Sequence, residues 1–350
     1  MFTTVHQTPF PTGDNLTEDR FTQPYSATIK ARINTFVDRY LSLEMLGDRL
    51  FELSFHHRDS QLNAWQPIDW NAIDRGQITG ISPELFLAVA AISAEVKTMP
   101  VYSRQMWEDI AGITSQIVTF LGSAIDEEGN LLELSLWERE ERQHSAIFRQ
   151  IYEQLAGERL PLSDECVFAI DTEIEVDRYL FQCAISKWIT VSIYLWLLSH
   201  SLGALHHAIA QILKDEVGHL AKFWGIVRLR RGNDSNQKLQ QDLERLLEAF
   251  ASPQDCENLS ILPSFPLSFK ADELIVENTD RLPNMNAFDY LAAILQFSGY
   301  DSLEIGFTLL RSLRQIWCWN LHLQAENLSS LAIVCSEGYL ACEDSTLLIY

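Results

Sequence analysis

Apolar residues recur at helical spacing through most of this chain, and that periodicity is the feature that most constrains its fold. Sustained period-2 alternation is absent, although the last 25 residues leave room for short strands. The pattern therefore predicts an all-α bundle with five or six long helices. The predicted helices cover about residues 25–57, 83–100, 102–125, 131–157, 175–200, 204–231, 234–251 and 286–323.

The charge balance limits the partners of the protein. The 350 residues include 26 Lys and Arg against 48 Asp and Glu, a formal net charge of −22. Such a chain is repelled by nucleic acid and by anionic membranes, so neither is expected as a partner. The six cysteines form no Cys-x-x-Cys pair, which favours reduced thiols in the cytoplasm.

The domain organisation and the membrane question follow from local composition. Residues 1–24 form a polar segment with acidic residues, interpreted as an extended arm and not as a signal sequence. Residues 25–350 are expected to form a single domain. The most apolar window, 179–198, contains Gln182 and Lys187 near its middle, so it is interpreted as a buried helix rather than a membrane span.

Two short motifs carry the chemistry of the chain. Glu141-Arg-Gln-His144 lies on the predicted helix 131–157, and Glu216-Val-Gly-His219 lies on the predicted helix 204–231. A carboxylate and an imidazole at positions i and i+3 share one helix face and can bind the same metal. One such pair is common by chance, but two on neighbouring helices of a bundle are typical of a di-iron or di-manganese carboxylate site.

The order of several motifs resembles that of the soluble acyl-acyl-carrier-protein desaturases of the ferritin-like superfamily. The resemblance begins at Trp65-Gln-Pro-Ile-Asp69, before the first ligand helix of that family. It continues from Phe86 to Pro100-Val-Tyr102, through both Glu-x-x-His motifs, and into a closing segment. The closing segment runs from Asn286-Ala-Phe-Asp-Tyr290 to Trp317.

This resemblance implies a fold, a reaction and partners. The fold would be a ferritin-like bundle with extra N- and C-terminal helices and with core ligand helices at about 83–231. Two iron ions would use dioxygen to desaturate, or otherwise oxidise, a long acyl chain carried on acyl carrier protein. Reduced ferredoxin would supply the electrons. A homodimer in the cytoplasm is implied, or in the plastid stroma for a plant source.

Two departures leave the implied ligand set incomplete. Val96 stands where the family has its first ligand Glu, and Glu95 is the candidate replacement if a π-bulge follows it; Glu108 is a weaker one. The third ligand helix carries no acid between Asp177 and Asp215. Cys183 and Lys187 are the candidates that would lie near the site there.

Lys187 has two interpretations. Its ammonium group either reaches the surface or pairs with an acid near the start of its helix, or it lies beside Glu141 or Glu216 and replaces the charge of a metal. The second interpretation supports an alternative function. In that alternative the chain keeps the desaturase scaffold, binds few or no metals, and acts through partners without catalysis.

A basic cluster lies in the last turn of the predicted helix 204–231. It consists of Arg228, Arg230 and Arg231. Basic residues in a last turn stabilise a helix through its dipole, and the same cluster could dock an acidic carrier protein. Both roles stay open from the sequence.

Overall fold

The computed structural model describes residues 24–54, 65–95, 102–110, 113–160, 176–231, 308–309, 311–316 and 318–319. These residues are mostly helical, so the prediction of a mostly helical chain is confirmed. The predicted arm at 1–24, the helix predicted over 234–251 and the closing segment at 286–290 lie outside the described residues. The last 25 residues, where short strands were left open, also lie outside them.

The longer helices reproduce most of the sequence-based segments. The single helix expected over 25–57 is divided, because Ser42 caps a second helix with its side chain. The α-helices are α1 Pro24–Tyr40, α2 Leu43–Phe51, α3 Pro83–Glu95, α4 Arg104–Glu108, α5 Ser115–Leu121, α6 Leu136–Ala156, α7 Val176–Ser199 and α8 Gly203–Arg231. Short 3-10 turns cover Glu52–Ser54, Trp70–Ala72 and Arg75–Gln77.

The segment predicted as one helix over 102–125 is instead two short helices. Ser103 caps α4 and Thr114 caps α5, each accepting a hydrogen bond from a backbone N–H two or three residues on. Two caps this close together divide the segment, because a cap residue has an extended backbone that interrupts the helix. The break was not visible in the sequence, because the apolar residues of both short helices keep helical spacing.

A small hairpin separates α5 from α6, so α6 begins later than predicted. Strand β1, Ala124–Ile125, pairs antiparallel with β2, Leu131–Glu133. The Asp126 carboxylate accepts hydrogen bonds from the backbone N–H groups of Glu128 and Asn130, which fixes the turn between the strands. Ser135 then caps α6, and Gly157 ends it with a left-handed φ of 77°.

Helices α7 and α8 form the central antiparallel pair. Their short connection lies at 200–202, and Asp177 near the start of α7 pairs with Arg230 near the end of α8. Helix α2 crosses α8 at Gly225, where a side-chain Cβ would collide with Leu50. Helix α3 lies against α6, where the Ser145 hydroxyl donates to the Ala94 carbonyl. Helices α6, α7 and α8 therefore meet along one buried seam.

One stretch in the described residues, Tyr179–Ser199, is long and apolar enough to cross a membrane. Of its most apolar window, 82% is buried inside the structure. Burial of this kind is typical of the core helix of a bundle, which agrees with the interpretation from the sequence.

Candidate metal centre

The two Glu-x-x-His motifs come together between α6 and α8. Glu141 and His144 on α6 face Glu216 and His219 on α8, and all four side chains are buried. One ligand atom from each residue lies within 4.8 Å of the others. The i, i+3 spacing places each carboxylate beside its imidazole, so the two helices build one cluster.

His144 is held at both ring nitrogens. Its Nδ1 atom lies 3.0 Å from Glu216 Oε1, and its Nε2 atom lies 3.1 Å from Asp215 Oδ2. The indole Nε1–H of Trp65 donates to the same Asp215 oxygen at 2.8 Å. The Trp65 ring also stacks on the imidazole, with centroids 5.9 Å apart. Asp215 thus fixes the ring so that Nδ1 faces the centre of the cluster.

His219 has the matching arrangement. Its Nε2 atom lies 2.7 Å from Glu140 Oε2, while Nδ1 faces inward, 2.9 Å from Glu141 Oε1 and 3.6 Å from Glu216 Oε2. The Nδ1 atom is not aligned for a hydrogen bond in spite of these short distances. An inward nitrogen without a hydrogen bond is a suitable metal ligand.

The electrostatics of the cluster appear in two opposite pKa shifts. Burial by itself would lower the pKa of His219, but the carboxylates of Glu140, Glu141 and Glu216 outweigh it and raise that pKa to about 10. Burial would raise the pKa of Glu140, but the hydrogen bond to His219 and the charge of that ring outweigh it and lower the pKa. Without a metal, His219 is therefore an imidazolium among carboxylates.

Lys187 on α7 enters the same cluster and is only 5% exposed. Its Nζ atom donates to Glu141 Oε1 and to Glu216 Oε2, the latter at 3.1 Å. It also lies 5.6 Å from the centre of the Trp137 ring, whose Nε1–H donates to Glu141 Oε1 at 3.2 Å. Of its two interpretations from the sequence, the structure supports the one in which the ammonium group lies beside the carboxylates.

Glu140 and Asp215 were not identified from the sequence. Each directly precedes a ligand Glu, so an adjacent pair of acids was the available signal. Neighbouring positions on a helix are turned by about 100°, and only one residue of each pair can point at the cluster centre. The other reaches the outer nitrogen of the histidine on the facing helix, an arrangement that raises the basicity of metal-ligating imidazoles.

Two further predicted residues lie near the cluster. Glu95 is the last residue of α3 and follows Ala94, whose carbonyl accepts a hydrogen bond from Ser145 on α6. The side chain of Glu95, which was predicted as a ligand, lies outside the described residues. Cys183 is buried one turn before Lys187, and burial raises the pKa of its thiol to about 12. A neutral thiol of this kind is a poor ligand.

The remaining predicted residues lie away from the cluster. Arg228 is 1% exposed, Arg230 pairs with Asp177, and the side chain of Arg231 lies outside the described residues. Carrier docking by this basic cluster stays a prediction. Glu108, the weaker ligand candidate, is exposed on the short helix α4.

Comparison of the chain with protein-family models, with curated proteins and with solved structures gave no match.

The donor set and its spacing fit a metal ion. Several neighbouring donor atoms lie about 3 Å apart, which is the separation expected for adjacent ligands with metal bonds of about 2.1 Å. Two carboxylates and two imidazoles suit iron, manganese or zinc. A pair of metal ions fits poorly with Lys187 in place, because its ammonium group already contacts both carboxylates. The buried group can therefore hold a metal ion, of unknown identity.

Proposed function

We propose that the protein is a metal-dependent oxidoreductase that uses dioxygen to oxidise a C–H bond of a long acyl chain. One observation carries this proposal: α6 and α8 each present an inward Nδ1 atom and a carboxylate to a single buried centre. The motif order of the sequence, which resembles that of the acyl-acyl-carrier-protein desaturases, supplies the substrate class and the ferritin-like form of the bundle.

Glu141, His144, Glu216 and His219 would hold the metal, with Glu95 as a fifth candidate. A redox-active metal bound there would supply the binding and reduction of dioxygen. Asp215 and Glu140 would keep the Nε2–H of each histidine directed outward, so that both Nδ1 atoms remain available as ligands.

Aromatic side chains adjoin the charged centre. His219 lies against Phe120 at a centroid distance of 6.1 Å, and Tyr194 on α7 is 2% exposed. Burial beside the carboxylates keeps the pKa of Tyr194 well above its usual value, so its hydroxyl stays neutral. Uncharged aromatic neighbours of this kind suit an alkyl substrate, which has no polar groups to be hydrogen-bonded.

The partners in this proposal come from the resemblance. They are an acyl carrier protein that delivers the chain, reduced ferredoxin as electron donor, and a second copy of the chain in a cytoplasmic homodimer. Within the basic cluster, Arg230 is the more exposed of the two described side chains, since Arg228 is buried.

A second candidate function rests on the position of Lys187. Its contacts with Glu141 and Glu216 offset part of the negative charge of these buried carboxylates without any metal. A bundle stabilised in this way would have a structural or partner-binding role and no catalytic activity.

The test is turnover by the full-length protein after reconstitution with Fe²⁺ under anaerobic conditions. Reduced ferredoxin, dioxygen and acyl carrier protein loaded with C16 or C18 chains are then added. The proposal expects dioxygen uptake and acyl products that are two mass units lighter or sixteen heavier, detected by mass spectrometry. His144→Ala on α6 should abolish both signals.

The matched control is Glu138→Gln on the same helix. Glu138 is also buried, but it pairs with Arg142 and accepts from Ser123 instead of joining the cluster. This variant should keep the activity. A wild-type protein that binds metal but gives no product with any of these acyl chains would contradict the proposed substrate class, and one that binds no metal would favour the second candidate.

A further inference from the structure

The donor atoms of the buried cluster fall into two groups, one around each histidine. The first, here called the His144 position, lies between His144 Nδ1 and Glu216 Oε1, which are 3.0 Å apart. The second, the His219 position, is bounded by His219 Nδ1, Glu141 Oε1 and Glu216 Oε2. The two oxygens of Glu216 therefore face different positions.

Lys187 contacts the oxygens of the His219 position only. Its ammonium group donates to Glu141 Oε1 and Glu216 Oε2, the same atoms that His219 Nδ1 approaches. Glu141 Oε1 also accepts from Trp137, so this oxygen already has strong donors around it. That explains why His219 Nδ1 is close to it and still lacks an aligned hydrogen bond.

A metal at the His219 position would have to displace the ammonium group. Lys187 has no other carboxylate contact among its described ion pairs, and its neighbourhood includes the Trp137 ring and the buried Cys183. Moving the ammonium out of contact with both carboxylates would leave a buried charge unpaired. A metal at the His144 position uses Glu216 Oε1 and leaves the described ammonium contacts with Glu141 Oε1 and Glu216 Oε2 in place, so it requires no such movement.

We propose that the ammonium group of Lys187 permanently replaces one of two metal ions, so that the centre binds a single metal ion at the His144 position. This inference rests on the proposed metal binding and narrows it from a group of four residues to one ion held by His144 and Glu216. The two histidines then have different roles. His144 is a metal ligand, whereas His219 contacts Glu140 and the two carboxylates that Lys187 also contacts.

The direct test is the metal stoichiometry of the wild-type full-length protein, which needs no variant to fold. The protein is loaded with Mn²⁺ and passed over a desalting column, after which metal and protein are quantified. We expect one Mn²⁺ per chain, with the six-line electron paramagnetic resonance spectrum of an isolated ion. Two Mn²⁺ per chain with a spin-coupled spectrum would overturn the inference and leave the proposed function intact.

Histidine variants test which position is filled. His144→Ala should lower the Mn²⁺ affinity at least 100-fold, whereas His219→Ala should change it less than about five-fold. Equal losses in the two variants would overturn the inference, because a metal at the centre of all four ligands would need both histidines. Far-ultraviolet circular dichroism of each variant confirms that the fold is retained.

Lys187→Glu tests the role of the lysine. It replaces the cation by a carboxylate and should raise the stoichiometry from one Mn²⁺ to two. The charge-matched control is Lys30→Glu on α1, a residue outside the cluster, which should leave the stoichiometry at one. No bound Mn²⁺ in the wild type would overturn this inference together with metal binding in the proposed function, whatever the variants bind.

Discussion

Two adjacent residues of helix α7, Lys187 and Trp188, take part in two different buried polar clusters, one ionic and one neutral. Lys187 makes ionic contacts with Glu141 and Glu216 in the metal centre. The next residue, Trp188, makes neutral ones: its Nε1–H donates to Ser312 Oγ at 2.9 Å, and that hydroxyl lies 2.6 Å from Ser192 Oγ. One face of α7 thus holds a charged cluster and another holds a neutral cluster.

The difference between them lies in what each cluster needs in order to be stable. In the neutral cluster, one of the Ser192 and Ser312 hydroxyls donates to the other, and the second donates to a backbone carbonyl, that of Trp188 or Leu309, so its groups are satisfied internally. In the ionic cluster, buried carboxylates are tolerable only beside a cation. A cluster that requires a cation can exchange one cation for another, and this is why the ionic cluster is the one suited to a metal.

The largest effect is expected for Lys187→Met in metal-free protein. The substitution keeps much of the side-chain volume but leaves Glu141 and Glu216 without their ammonium partner, which should cost about 3–5 kcal/mol of unfolding free energy. Added Mn²⁺ should restore most of this loss, because a metal can neutralise the same carboxylates. Urea denaturation with and without Mn²⁺ measures both changes.

The control for this prediction is Lys222→Met. Lys222 is also buried, but it pairs with Glu52 outside the cluster, at 3.0 Å. Its loss should destabilise the protein, and Mn²⁺ should stabilise this variant only as much as it stabilises the wild type, so the difference between those two proteins should not change. If Mn²⁺ narrowed the difference from the wild type equally in both variants, the metal would be acting at some other site.

An intermediate effect is expected for Asp215→Asn. The amide can still accept from Trp65, but it no longer offers His144 Nε2 a negative charge, so the imidazole becomes a weaker ligand. Loss of such an outer carboxylate should reduce metal affinity about 10–100-fold. Isothermal titration with Mn²⁺ measures this change, and an unchanged affinity would contradict the assignment of His144 as a ligand.

The smallest effect is expected for Ser192→Ala in the neutral cluster. Ser312 keeps its contacts with Trp188 and Leu309, so the loss should be about 1 kcal/mol of unfolding free energy. Metal affinity should stay at its wild-type value. A change in Mn²⁺ binding in this variant would mean that the two faces of α7 are coupled, and would remove the contrast between the clusters.

The fold was predictable where apolar spacing and caps agree. Helices α6, α7 and α8 follow the predicted segments closely, because their periodicity is long and their ends carry recognisable residues such as Gly157. The turn at 126–130 is marked in the sequence by Gly129 and Asn130, but the division of 102–125 into two helices and the short strands at 124–125 and 131–133 were missed. They depend on local hydrogen bonds, accepted by the side chains of Thr114 and Asp126, that do not alter the apolar pattern.

The sequence by itself determined which four residues would form the cluster, since two Glu-x-x-His motifs at helical spacing can face each other only across neighbouring helices. It also determined that α7 has no acid after Asp177 that could join them. The tertiary structure alone decided the rest. Glu140 and Asp215 reach the facing histidines, and Lys187 is directed inward and not toward solvent. Those contacts join residues that are 29–79 positions apart in the sequence. At such separations, the spacing of residues along the chain does not show which side-chain atoms come into contact.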